Sequence, residues 1–346
     1  MDAIFFPRAQ YELEICAHRY GKSMTYTEQS DTFRGGAENI VSAFAQNDIK
    51  VGVFWGMSTG ADYGAIALPY VNAGKMWIDA YCNPSGASGG GTINYETYIT
   101  QRNALLERIK DWFDKRPLAL SFAYGNDSYA DYAIMDFVGC RNSNKNVGTP
   151  YGIGYGSPNN IPYSQSYFKS KGSTSRWYDD AKVSGTFTQR LQQLEADVLV
   201  TKQNGGWYNN FTHWHNVIND GNLSHYISYV NLLATLNTND DIYFAGYGEA
   251  VAYLIYRQII TRAVMYSPKL NPNNQLIIRL ETINNVGVNA DLLQVPISIK
   301  FSLANTPLAG YNIRCDKNLI ALGNNEYIVE IPFGRYPFAV IEKNGN

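Results

Sequence analysis

Charge is scarce in this chain. Asp, Glu, Lys and Arg make up 17% of its 346 residues, against roughly 25% in an average soluble domain. The charges that are present almost cancel, leaving a net charge of -2. A partner read through its phosphates, DNA or RNA, is therefore not expected. Histidine is scarcer still, with four residues at positions 18, 213, 215 and 225. The four cysteines, Cys16, Cys82, Cys140 and Cys315, are scattered and form no CxxC pair. A disulfide framework and a structural zinc site are not expected, and inert thiols are. No apolar run approaches the roughly 20 residues of a membrane span. The first residues, MDAIFFPRAQYELE, lack a basic segment followed by a long apolar one and do not read as an intact secretory signal.

What stands in place of charge is amide, hydroxyl and ring. The chain holds 27 Tyr, 6 Trp and 34 Asn. Hydrophobic residues at 45% exclude a disordered chain. Aromatic faces stack on pyranose rings while amides and phenols satisfy sugar hydroxyls, so this composition points to a polysaccharide or oligosaccharide partner.

Hydrophobic periodicity divides the chain in two. Up to about residue 268, short β-rich runs alternate with amphipathic helical stretches. SMTYT (23–27), VGVFW (51–55), residues 76–81, LALSF (118–122), 198–201, 207–214 and 241–244 read as strands. Residues 35–47, 63–72, 94–113, 129–138, 186–196, 222–236 and 248–263 read as helices. A Gly-, Ser-, Asn- and Tyr-rich stretch at 142–182 interrupts the pattern, as functional loops do. Repeated strand–helix units imply a parallel sheet or an α/β barrel. From residue 270 only short strands separated by Asn, Gly and Pro turns remain, which suggests a small antiparallel β-sandwich. The expected domains are thus 1–268 and 269–346.

An α/β barrel places its site at the C-terminal ends of the strands. The polar and aromatic residues there include Glu28, Asp31, Trp55, Asp79, Asn83, Tyr124, Asn126, Trp207, His213, Trp214 and His215. His213 and His215 alternate along one strand, so both should point to one face with Trp214 opposite. Trp177, Trp207 and Trp214, in loop or strand-end contexts, should face a cleft; Trp55, Tyr124 and Asn126 should join them in binding a sugar. Trp77 and Trp112, inside regular elements, read as core. A metal needs three or four ligands, and no HxxxH or HExxH spacing supplies them.

The ordered segments resemble the polysaccharide deacetylases, the NodB-homology group or carbohydrate esterase family 4. DIYFAGYGEAVAYLIYRQ resembles the final strand and helix of that domain. GGWYNNFTHWHN holds the place of the motif whose histidine closes the site. LALSFAYGNDSYADYAIMDFVGCRN resembles the segment with the arginine-bearing strand, which makes Arg141 its arginine. SMTYTEQSDTFRGGAENIVSAFAQNDIKVGVFW resembles the opening unit, and the β-rich tail the accessory sandwich of some members. The resemblance implies a distorted (β/α)7-type barrel followed by a small antiparallel β-sandwich.

The departures are specific. The family's Asp–Asp pair supplies a base and a metal ligand; here Ser30 and Asp31 fall in those places. The family's His-x-x-x-His falls on YVNAGKMWIDAYCNPSG, which offers only Asp79 and Asn83. A carboxylate and an amide in place of two imidazoles disfavour a zinc-like ion, so no cofactor is expected and these three are remnant positions. Three functions follow. The first is a glycan-binding or glycan-processing protein without standard metal-dependent deacetylation. The second is an active esterase or hydrolase with a rewired site, using Asp31, His213, His215 and Arg141. The third is a structural or adhesive protein of a cell or virion surface. All place the chain outside the cell or on a surface.

Overall fold

The computed structural model describes residues 10–30, 33–57, 59–82, 95–122, 137–141, 185–219, 221–268, 270–282 and 292–344. The chain divides into two compact units, one of Met1–Lys22 with Tyr253–Asn346 and the other of Ser23–Ala252.

The first unit opens with two short strands, β1 (Gln10–Glu12) and β2 (Glu14–Ile15). The second then alternates strand and helix: β3 (Met24–Ser30), α1 (Ala37–Gln46), β4 (Val51–Gly56), α2 (Ala61–Asn72), β5 (Met76–Cys82), α3 (Tyr95–Phe113), β6 (Ala119–Phe122) and β7 (Gly139–Arg141). After these come α4 (Phe187–Gln203), β8 (Trp207–Phe211), α5 (Trp214–Asn219), α6 (Leu223–Leu236), β9 (Ile242–Phe244) and α7 (Tyr247–Ile259). The strands pair in parallel in the order β7-β6-β5-β4-β3-β8, with β9 beside β3. Seven parallel strands in an open, half-barrel sheet are the α/β architecture that the strand–helix alternation predicts.

Period-two alternation sorts this sheet into two faces. Met24, Tyr26, Val51, Val53, Trp55, Met76, Ile78, Ala80, Leu120, Tyr208, Ile242 and Phe244 pack into one apolar cluster with helix residues such as Ile40, Phe44, Leu105, Ile109, Tyr229 and Leu233. The intervening positions, Thr25, Thr27, Gln29, Gly52, Phe54, Trp77, Asp79, Ser121, Trp207, Asn209 and Tyr243, therefore face the inside of the curl. β3 is buried on both faces along its whole length, as parallel strands covered by helices are.

β3 shares one edge between two neighbours. β8 follows one side from Thr25 to Gln29. On the other side β9 pairs with Met24–Tyr26 and β4 only with Gln29 and Ser30. The chain leaving β9 must then pass close beneath β5. A Cβ on Gly246 would lie 2.2 Å from the Trp77 Cγ, and one on Gly248 2.3 Å from an Asp79 oxygen and 2.9 Å from the Ala119 nitrogen. Gly246→Ala is expected to destabilise the fold by about 2–3 kcal/mol through overpacking. A denaturation midpoint equal to that of the parent chain would refute this close approach.

Two strand assignments change. Residues 198–201 (VLVT) continue α4, because Leu194, Val198 and Thr201 repeat at helical spacing as its buried stripe. Residues 207–214 are a strand only to Phe211, and Trp214 opens α5. The 129–138 helix lies largely outside the described residues.

The first unit is completed by β10 (Ile260–Tyr266), β11 (Gln275–Thr282), β12 (Ile297–Ser302), β13 (Ile313–Cys315), β14 (Asn318–Gly323), β15 (Glu326–Ile331) and β16 (Phe338–Lys343). They form two antiparallel sheets, β1-β10-β11-β16-β13 and β14-β15-β12-β2. Leu13, between β1 and β2, is where the chain crosses from one sheet to the other. An Arg19–Glu330 pair at 2.8 Å, with Ser298 donating to the same carboxylate at 2.9 Å, fixes the interior of this unit. Cys16 and Cys82 are buried free thiols, each pushed up to about 12 by burial, as inert cysteines are.

Candidate functional site

The inner face of the parallel sheet carries one layer of neutral polar groups near the strand ends. Trp207 Nε1 donates to Thr27 Oγ1 at 3.0 Å, and Thr27 Oγ1 donates to Asn209 Oδ1 at 2.8 Å. Gln29 Nε2 donates to Thr27 Oγ1 at 3.2 Å and also to Asn209 Oδ1. All four residues are buried. Neighbouring strands bring them together: Thr25–Gln29 lie beside Trp207–Phe211 in parallel register. None of Thr27, Gln29 and Asn209 stands out in the sequence.

Asp79 is the one carboxylate on this face among the described residues. It is fully committed. Its Oδ1 accepts from Trp77 Nε1 at 3.1 Å, Leu118 N at 3.2 Å and Ala119 N at 2.9 Å, and its Oδ2 accepts from Gly248 N at 2.8 Å. It thereby ties β5 to the start of β6 and to the first turn of α7. Burial raises its carboxyl to about 6, against the four bonds, which favour the ionised form.

The opposite face of β3 holds a second buried carboxylate. Glu28 accepts from the hydroxyls of Tyr226 and Tyr229 and from Asn210 Nδ2 at 2.8 Å. Tyr229 in turn meets the Tyr26 hydroxyl, and Trp214 Nε1 donates to Tyr226 Oη at 3.1 Å. Burial raises Glu28 above its ordinary 4.5 and holds Tyr26, Tyr226 and Tyr229 well above 10. Sequence position at a strand end makes Glu28 a candidate for the mouth; its parity with Tyr26 puts it under the helices instead.

That network also anchors the histidine-bearing turn. Thr212 N donates to the Gln29 carbonyl at 2.8 Å, extending β8 by one residue beside β3. His213 follows and His215 lies in the first turn of α5, with their rings 5.5 Å apart in an edge-to-face arrangement. The two histidines do come together, but a strand-to-helix turn does it, not strand alternation. Trp214 between them is buried against Tyr226.

Three of the aromatics expected in a cleft are core residues. Trp55 faces the helices, stacked on Phe33 at 5.9 Å and edge-on to Phe113 at 4.9 Å. Trp214 is enclosed beneath α6, and Trp207 packs on Tyr247 inside the curl at 5.7 Å. Strand parity and the turn after β8 account for the first two. The third is on the inner face, but buried. Trp77 and Trp112, expected in the core, are only half-buried. Asp31, Asn83, Tyr124, Asn126 and Trp177 lie outside the described residues, as does the side chain of Arg141, whose backbone ends β7.

A divalent ion of the kind the sequence resemblance implies needs three or four ligands. Among the described residues no group of three His, Cys, Asp or Glu is placed to hold one. Asp79, the remnant position that is described, has both oxygens occupied by N–H donors. Asp79, so bonded, does not fit a metal.

No family model matches the chain, and the curated proteins contain no match. Among solved structures it is similar to a candidate polysaccharide deacetylase from Mycobacterium smegmatis (11% identity, 75% of this chain and 97% of that one, TM-score 0.46). It is also similar to a polysaccharide deacetylase from Bacillus cereus (12% identity, 65% and 91%, TM-score 0.39). A third is a carbohydrate esterase family 4 pseudoenzyme from Bacillus anthracis (10% identity, 66% and 66%, TM-score 0.41). Of these three, the first two are described as polysaccharide deacetylases and the third as a pseudoenzyme of carbohydrate esterase family 4.

Proposed function

We propose that this chain is a glycan-binding protein on a polysaccharide-deacetylase-like scaffold, without the standard metal-dependent deacetylation. The observation that carries this reading is the state of Asp79. Where the resemblance asks for a metal ligand, the carboxylate serves as a structural tie for four N–H groups. Around it the inner face offers amides and hydroxyls, which suit sugar hydroxyls better than they suit a cation. Without a metal to activate water, this site has no strong electrophile for an amide carbonyl. Purified protein incubated with N-acetylated oligosaccharides is expected to bind them in calorimetry and to release no acetate, with or without added zinc. Acetate release that a chelator abolishes would overturn the reading.

The histidine pair supports a second reading, an active hydrolase with a rewired site. Two imidazoles 5.5 Å apart at the end of β8 stand where a barrel works. Here one would act as general acid or base, with Asp31 and Arg141 as its partners. Metal-independent release of acetate or of shorter sugars, lost in His213→Ala or His215→Ala, would favour this reading over the first. Turnover unchanged in both variants would discard it.

A further inference from the structure

We infer that Gln29 and Asn209 together hold one neutral ligand group that both donates and accepts a hydrogen bond, a sugar hydroxyl or acetamide. This rests on the glycan-binding reading and names the atoms that would meet the sugar.

The polarity of the cluster follows from the indole. Trp207 Nε1 can only donate, so Thr27 Oγ1 accepts from it at 3.0 Å. Thr27 then has one proton to give, and it goes to Asn209 Oδ1 at 2.8 Å. Gln29 donates its amide to the same oxygen and to Thr27. Every donor and acceptor of the Thr27 hydroxyl is now used, and so are both lone pairs of Asn209 Oδ1. Two atoms remain without a partner, Gln29 Oε1 and Asn209 Nδ2. Both side chains are fully buried. A buried acceptor and a buried donor left unpaired are costly.

What completes them is constrained. A cation would meet the Asn209 N–H donor and an anion the Gln29 carbonyl oxygen, each unfavourably. A group with one donor and one acceptor satisfies both. Gln29 is the second-last residue of β3, so the pair lies near the C-terminal ends of the strands, where barrels bind ligands. Removal from water strengthens such bonds and makes a mismatched group correspondingly unwelcome.

The test is titration of the full chain with two probes, cellotetraose, which offers hydroxyls only, and chitotetraose, which adds acetamides. Tighter binding of the second by tenfold or more assigns the acetamide; equal binding assigns a hydroxyl. Asn209→Asp keeps Oδ1 for Thr27 and Gln29 but turns the free donor into an acceptor. Gln29→Met keeps length and removes the free acceptor, together with the amide that donates to Thr27 and Asn209. Each is expected to weaken binding roughly tenfold or more, the effect of one lost buried hydrogen bond. Binding that ignores both substitutions overturns the assignment and leaves the glycan-binding reading standing. No binding of either probe by the unmodified chain removes both. If neither variant folds, a crystal of the unmodified chain with its probe decides. A sugar group within hydrogen-bond distance of both atoms supports the assignment; a water there, with the sugar elsewhere, overturns it.

Discussion

Asp79→Ala is expected to destabilise the Ser23–Ala252 unit by about 4 kcal/mol or more. Four N–H donors lose their acceptor at once, those of Trp77, Leu118, Ala119 and Gly248. An unsatisfied buried donor costs about 1–3 kcal/mol, and the loss is a large share of the 5–15 kcal/mol that holds a typical domain together. Asp79→Asn separates charge from geometry, since it keeps Oδ1 for three donors. The titration of Asp79 has a definite sign. In the unfolded chain the carboxyl releases its proton near 3.8, and in the fold near 6. Between those values the folded protein holds a proton that the unfolded chain has lost. The stabilising contribution is therefore complete below about pH 4, declines as pH rises to about 6, and is constant above. Its size is about 3 kcal/mol, because each tenfold gain in proton affinity on folding is worth about 1.36 kcal/mol. Denaturant unfolding of the parent chain and of Asp79→Asn at pH 4, 5, 6 and 7 checks this. The difference between the two should change over the lower three and not over the last two. A constant difference across the series would show that Asp79 is ionised throughout.

That one residue explains why the fold is legible in the sequence and the site only partly so. Alternation of strand and helix depends on local periodicity, which buried parallel strands such as VGVFW and amphipathic helices such as AENIVSAFAQ display openly. Parity within a strand is also local, and it separates Trp55, facing the helices, from Phe54, facing the inner side. What periodicity does not carry is the identity of a partner 40 or 180 positions away. Asp79 reads as a strand carboxylate until the amides of Leu118, Ala119 and Gly248 are folded onto it. Thr27, Gln29 and Asn209 read as ordinary strand polars until β8 is laid beside β3. The same applies to β1, β2 and β10. Position along the chain groups them with the strand–helix repeats, yet β10 pairs with β11 and β2 with β12 of the β-rich segment, and β1 pairs with β10. Rarity singles out the histidines, a signal independent of local structure, and they do meet. Their geometry differs from strand alternation because Thr212 ends the strand one residue before His213, and no periodicity in THWHN announces that turn.

Glu28→Leu is expected to be nearly as damaging as loss of Asp79, by about 3 kcal/mol or more, and for a related reason. Leucine approximates the size of the side chain but takes away the acceptor that the hydroxyls of Tyr226 and Tyr229 and the amide of Asn210 share, at about 1–3 kcal/mol for each bond lost, although Asn210 still reaches Tyr229 at 3.2 Å and Thr212 at 3.5 Å. Glu28→Gln should be far milder, because the network can partly re-orient. Tyr226 accepts from the donor-only Trp214 indole, so it must still donate to residue 28, and the glutamine carbonyl can receive it. Tyr229 can reverse, accepting from the new amide and donating to Tyr26. Two conflicts remain, between the new amide and the Asn210 amide and at Tyr26, whose own proton loses Tyr229 as its acceptor, one or two lost hydrogen bonds or roughly 1–2 kcal/mol. The pH dependence has the same sign as that of Asp79. Burial raises Glu28 in the fold, so its stabilising contribution is whole below about 4.5 and is lost as pH rises above that value. Glutamine, which does not titrate, should remove that dependence. Leucine removes it too, but at the cost of the bonds. Thermal unfolding of the three proteins at pH 4 and pH 7 separates the cases. If glutamine proves as destabilising as leucine at both values, the network requires the carboxylate itself, and the three tyrosines are held by charge and not by a re-orientable set of hydrogen bonds.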